Sequence, residues 1–135
     1  MENDTKTMIE FLSTPKRIVV MGVSSKTNKA GYFVPKLLHD RGFSIIPINP
    51  FMDEFLGIQT LKSLDEVHDK ADGLLIYRNL EDAEKIIENL KFQKFSLIWL
   101  PEGIVSPKSR KLCEENNVLY VENECPKKII ELHFN

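Results

Sequence analysis

The 135-residue sequence predicts a three-layer α/β domain, a doubly wound parallel sheet of about five strands with helices on both faces. Three observations lead there. Short apolar, β-branched runs recur along the chain without the polar alternation of a half-exposed strand, as parallel strands buried on both faces require. Stretches of helical periodicity separate these runs, so each strand must return to the sheet through a right-handed crossover. The first run, Ile18 to Met21, breaks at Gly22-Val23-Ser24 and leads through a polar loop into a helix.

Each element has its own warrant. Thr5 to Leu12 places Met8, Ile9, Phe11 and Leu12 on one side, which predicts a short lid helix before Pro15, within an N-terminal helical extension over 1–15. The first strand is Ile18–Met21. Phe33, Val34, Leu37 and Leu38 then recur at helical spacing up to Gly42, a C′ residue, with Pro35 expected near the first turn where its missing N–H is harmless. The second strand, Phe43–Ile48, runs into a long loop, Asn49 to Gly57. Ser63 and Glu66 have the spacing of a capping box and open a short helix. The third strand is Asp72–Tyr77, and Asn79 caps an amphipathic helix with Leu80, Ala83, Ile86, Ile87 and Leu90 on its stripe. The fourth strand, Ser96–Leu100, precedes Pro101-Glu102-Gly103. Ser106-Pro107 starts a helix to about Asn116, a hydroxyl cap followed by proline at the first turn. Val118–Val121 is the fifth strand, and Cys125-Pro126 opens a terminal helix through Leu132.

The strand–turn–helix unit at the start carries the first chemical signal. Backbone N–H groups and the positive end of the helix dipole make a phosphate site. Lys26 and Lys29 add positive charge to the same loop. The pattern departs from the dinucleotide fingerprint G-x-G-x-x-G, because Ser24 stands at the second glycine and the next glycine is Gly31. The second strand ends in Asn49-Pro50, with no carboxylate to hold an adenosine ribose. A nicotinamide cofactor is therefore disfavoured, and the absence of Gly-Lys-Ser/Thr excludes a P-loop.

Composition bounds the remaining classes. One domain spans 1–135, and 42% apolar residues with mixed charges fit a soluble protein. A net charge of −2 gives no push toward nucleic acid. No apolar run reaches the ~18 residues of a membrane helix, and the start lacks the pattern of a signal peptide. Two cysteines, Cys113 and Cys125, make neither a disulfide framework nor a metal site. A cytoplasmic location is the expectation.

Several segments, taken together in their order and spacing, carry a resemblance: Gly22-Val23-Ser24, Lys26, Lys29, Val34 and Lys36; Ile46 to Pro50; Tyr77-Arg78-Asn79; Trp99; Gly103; and Cys125-Pro126-Lys127. From about Lys16 to Lys127 the chain resembles the small stand-alone coenzyme A-binding domain proteins, Rossmann-like in fold and similar to the amino-terminal domain of the succinyl-CoA ligase alpha subunit. The resemblance implies that the Gly22–Ser24 turn and the loop Ser25 to Gly31, with Ala30 leading into Tyr32, hold the CoA diphosphate. It implies that Asn49 and Pro50 line the adenosine and 3′-phosphate region. Tyr77, Arg78, Pro101, Glu102 and Gly103 would then line the adjoining part of the cleft, toward the pantetheine, and Cys125 is counted with the cofactor-binding residues. Gly31 stands where such proteins more usually carry serine, Pro101 where they often carry glutamine, and Phe51 where a basic residue would meet a phosphate.

Other residues have plainer readings. Trp99 and Cys113 read as core, and Arg78 has Glu81 and Asp82 nearby as neutralising partners. Phe51, Met52 and Phe55 read as exposed apolar residues suited to an interface or a ligand lid. Cys125 reads first as structural; at a helix start its thiol pKa is expected to be lowered, and a thiolate there could exchange into a mixed disulfide with CoA. His39, His68 and His133 are scattered, and no Ser-His-Asp or Cys-His set is in register. The expected function is binding of coenzyme A or an acyl-CoA as a non-catalytic or regulatory module, with a protein partner or homo-oligomer left open. The alternatives are an NAD(P)-binding oxidoreductase or sensor domain, and an interaction scaffold with a vestigial cleft.

Overall fold

The computed structural model describes residues 2–134; Met1 and Asn135, the outer bounds of the domain expected over 1–135, lie outside the described residues. Helix α1 (Glu2–Leu12) precedes strand β1 (Arg17–Met21), helix α2 (Ala30–Asp40) and strand β2 (Ser44–Ile48). A small hairpin follows, β3 (Glu54–Phe55) and β4 (Ile58–Gln59), then β5 (Ala71–Ile76) and α3 (Leu80–Glu88). The chain ends with β6 (Phe95–Trp99), α4 (Pro107–Glu115), β7 (Leu119–Val121) and α5 (Pro126–His133). The five long strands form one parallel sheet in the order β2-β1-β5-β6-β7.

Alternation along the strands divides the core in two. Ile18, Val20, Leu75, Leu97, Trp99 and Val121 face α1, α2 and α5, meeting Met8, Leu12, Val34, Leu38, Ile129 and Ile130. Val19, Leu74, Ile76, Ile98 and Tyr120 face the other way, onto Ala83 and Ile87 of α3 and Cys113 of α4. Both faces of the sheet are therefore dry, which is why its strands read as unbroken apolar runs. Pro47 costs no ladder bond in the sheet interior because β2 is an edge strand.

Four expectations are corrected. The first helix begins at Glu2 and is no lid: Met8 and Leu12 are buried, and the Phe11 ring lies 6.5 Å from that of Trp99. Gly73 makes room for that ring, since a Cβ there would sit 2.7 Å from Phe11 Cζ. Second, the stretch 49–57 is not simply a loop. Leu56 and Gly57 both take positive φ (54° and 79°), closing a two-residue hairpin turn of the mirror-image type. Phe55 is accordingly buried, not exposed. Third, the Ser63 stretch forms a single 3-10 turn, Leu64–Glu66, in which Glu66 Oε2 accepts the Ser63 N–H at 3.1 Å. Fourth, α2 starts at Ala30, so Pro35 lies inside the helix rather than near its first turn.

Candidate functional site

The sheet order fixes where a ligand can sit. From β1 the chain crosses to β2 on one side and later returns to β5 on the other, so the connections part between β1 and β5. In doubly wound sheets a crevice opens outside the carboxyl ends of the strands at such a switch point. A cleft of about 760 Å³ lies there, within the range of small-molecule sites. Its walls come from the turns after β1, β5 and β6 and from the first turns of α2 and α5.

Glycines let the backbone close in on this cleft. Gly22 has φ +89°, and a Cβ there would meet the Tyr77 carbonyl oxygen at 2.3 Å, so no side chain fits between the ends of β1 and β5. A Cβ on Gly31 would lie 2.8 Å from the Gly22 carbonyl oxygen. The glycine thus seats the start of α2 against the end of β1, the role of the third glycine in dinucleotide sites. The missing N–H of Pro35 leaves the Gly31 carbonyl without its usual helical donor. That carbonyl instead accepts the Ser24 N–H at 3.1 Å, and Ser24 Oγ accepts the Lys26 N–H at 3.0 Å. Ser24 is therefore first a turn residue; only its hydroxyl proton is left for a ligand.

The head of α2 is what remains open. Lys29 is the N-cap and supplies no side-chain cap. Its carbonyl takes the Tyr32 and Phe33 N–H groups, and among the described residues nothing accepts from the N–H groups of Ala30 and Gly31. Five cations border the cleft. Arg78 Nη2 is paired with Asp82 at 2.7 Å, Lys127 with Glu131 at 2.9 Å, and Lys128 with Glu102 at 2.7 Å. Lys26 and Lys29 have no carboxylate partner among the described residues, and both are exposed beside the two free N–H groups.

Tyr77 and Cys125 also line the cleft. The Tyr77 N–H donates to Met21 O at 2.7 Å, while its hydroxyl is shut from solvent with no hydrogen-bond partner among the described residues. Burial, and secondarily the nearby Cys125, push the phenol above its ordinary value, so it stays a neutral donor. Cys125 is half-buried and is the N-cap of α5, with Pro126 at the first turn.

Eleven of the seventeen residues singled out from the sequence line the cleft: Gly22, Ser24, Lys26, Lys29, Ala30, Gly31, Tyr77, Arg78, Pro101, Glu102 and Cys125. The other six stand elsewhere. Val23 is buried, and its carbonyl accepts Asn49 Nδ2 at 2.7 Å. Asn49 Oδ1 accepts the Phe51 N–H at 2.7 Å, so both ends of that amide are engaged within the protein. Pro50 and Ser25 are exposed outside the cleft walls, Tyr32 packs edge-on against Phe55 at 5.8 Å, and Gly103 donates its N–H to Asn123 Oδ1 at 2.7 Å. Phe33, Ile104, Lys128 and Glu131 line the cleft without having been singled out; Asn79, noted as a cap and in the Tyr77-Arg78-Asn79 motif, and Lys127, noted in the Cys125-Pro126-Lys127 motif, join them. Lys127 and Lys128 carried a readable signal, since two cations in a helix's first turn oppose its dipole.

The CoA binding domain model matches residues 16–131. The chain belongs to the CoA-binding domain family. It is 30% identical over 128 residues to the Bacillus subtilis protein YneT, covering 94% of this chain and 95% of that one. A 68-residue stretch is 39% identical to the ADP-forming acetate–CoA ligase of Methanocaldococcus jannaschii, covering 50% of this chain and 10% of the ligase. Among solved structures, a Thermus thermophilus protein superposes with a TM-score of 0.87 at 24% identity, covering 96% of this chain and 98% of that one. The dinucleotide-forming acetyl-coenzyme A synthetase 1 of Ca. Korarchaeum cryptofilum superposes at 0.67 with 19% identity, over 85% of this chain and 27% of the synthetase. These superpositions bear on the fold. Among the described residues no helix is long and apolar enough to cross a membrane.

Proposed function

We propose that this CoA-binding domain takes coenzyme A or an acyl-CoA into the cleft at the β1/β5 switch point and acts as a binding or regulatory module, not as a complete enzyme. One observation carries the reading. The two cleft cations without carboxylate partners, Lys26 and Lys29, flank the two free N–H groups at the head of α2. A diphosphate placed there gains backbone donors, helix dipole and mobile charge together. The residues also fit the rest of such a ligand. Phe33, Ile104, Tyr77 and Cys125, all in the cleft lining, would offer wall to a pantetheine arm. The similarity to the acetate–CoA ligase takes in 10% of that protein, so it supports a binding role and not the ligase's reaction.

The NAD(P) reading has less support, because the end of β2 offers the Asn49 amide, already committed to Val23 and Phe51, where a ribose carboxylate is needed. Native mass spectrometry of the purified protein, followed by calorimetric titration with CoA, acetyl-CoA and NAD, tests the proposal. Co-purified CoA, or micromolar binding of CoA or acetyl-CoA without NAD, is expected. Binding of NAD alone, or of none of the three, overturns it.

A further inference from the structure

We propose that Glu102 sets the charge class of the acyl group that this site accepts. By holding Lys128 it reserves the β6 end of the cleft for uncharged acyl groups and turns away those ending in a carboxylate. The inference rests on the ligand reading above and deepens it. The lining runs from the turn after β1 to the turn after β6, and among the described residues none between β2 and β5 takes part in it. β1, β5 and β6 lie side by side, so the two turns are about 10 Å apart. A ligand whose diphosphate rests on Ala30 and Gly31 therefore sends the arm it keeps in the cleft past Tyr77, toward Pro101 and Glu102.

The cations along that path are already engaged. Lys26 and Lys29 serve the diphosphate. Arg78 is held by Asp82 and Lys127 by Glu131, each pair four residues apart on one stretch of chain. Lys128 is held differently. Its Nζ donates to both oxygens of Glu102, at 2.7 and 2.9 Å, and so joins the first turn of α5 to the turn after β6. The backbone beneath the pair is fastened as well. Gly103 N–H donates to Asn123 Oδ1 at 2.7 Å, and Trp99 Nε1 donates to Glu124 O at 2.8 Å. A neutral acyl group meets this end of the cleft without electrostatic cost. A carboxylate meets Glu102 together with Lys128, so repulsion offsets attraction while the anion gives up water. With the Glu102 charge removed, Lys128 is free and the same place favours a carboxylate.

Calorimetry with acetyl-CoA and malonyl-CoA, which differ by one carboxylate, on the wild-type chain, Glu102→Gln and Lys128→Gln tests this. The ratio of the two affinities cancels whatever a variant does to the shared CoA part. The wild-type chain is expected to bind acetyl-CoA more tightly than malonyl-CoA. Glu102→Gln is expected to move the ratio toward malonyl-CoA by about two- to fivefold, and Lys128→Gln to move it the other way. Both side chains are more than half exposed, so neither variant should shift the melting temperature. Equal or tighter wild-type binding of malonyl-CoA, or a ratio that Glu102→Gln leaves unmoved, overturns this inference alone. Failure of the wild-type chain to bind either probe overturns the ligand reading and this one with it.

Discussion

Tyr77→Phe removes one oxygen and puts one residue of the cleft lining to the test. The Tyr77 hydroxyl is shut from solvent and has no protein partner among the described residues, so the folded state bears the desolvation of that group with no bond in return. Such a group costs about 1–3 kcal/mol. Against that, the lost oxygen forfeits a few van der Waals contacts, about 0.5 kcal/mol in all. The variant should therefore be more stable by about 0.5–2.5 kcal/mol. For a chain of 135 residues that raises the melting temperature by about 2–10 °C, read by calorimetry or by circular dichroism. A melting temperature that stays level or falls would refute the reasoning, because the hydroxyl would then have a partner worth keeping.

Three further outcomes follow from named contacts. Lys26→Gln and Lys29→Gln should each lower CoA affinity by about two- to fivefold at low salt and flatten its salt dependence, measured by titration at two ionic strengths, because both ammonium groups are exposed and unpaired. Asn49→Ala should cost about 1–2 kcal/mol in urea unfolding, since it leaves Val23 O and the Phe51 N–H without their 2.7 Å partners. Stability should fall as pH rises past 9: burial first of all lifts the Cys113 thiol from 9.0 to about 12, and also raises the Tyr77 and Tyr120 phenols, so the unfolded chain loses protons that the folded chain keeps. Each such group contributes a slope approaching about 1.4 kcal/mol per pH unit, and urea midpoints between pH 8 and 11 that stay flat would contradict it.

The strands were legible because nothing competes with burial for them: Ile18–Met21 and Leu97–Leu100 are apolar throughout, and a sheet covered on both faces needs nothing else. The caps were legible for a similar reason, as Asn79 and Ser106 act over three residues of chain, accepting from Asp82 N and Ser109 N. The hairpin was not, because two-residue strands have no periodicity and the turn is Leu56-Gly57 rather than Asn-Gly. The role of α1 was hidden too. Amphipathicity shows that Met8, Phe11 and Leu12 need a partner, but only Gly73, a distant residue that leaves space for Phe11, shows that the partner is the core. At the cleft, residue types were readable while their commitments were not. Arg78 and Asn49 look like ligand groups in one dimension and are engaged by Asp82, Val23 and Phe51 in three.

Pro35 and Gly31 show how two local irregularities become one solution. Alone, a proline inside a helix is a lost hydrogen bond, and a glycine in the first turn is a lost side chain. Together they act on one carbonyl. Pro35 leaves the Gly31 oxygen unclaimed by the helix, and Gly31, with no Cβ, lets α2 approach to where that oxygen meets the Ser24 N–H. The turn after β1 is thereby fastened to the helix it feeds, and fastened before any ligand arrives. The cost is one backbone donor, since Ser24 no longer offers its N–H to an anion. What is left is a narrower site, two N–H groups and two free lysines, held in place by the bond that the proline made available. A polyphosphate bound there, as proposed, would meet donors already aimed at it, with the entropy of ordering the loop met in folding instead of in binding.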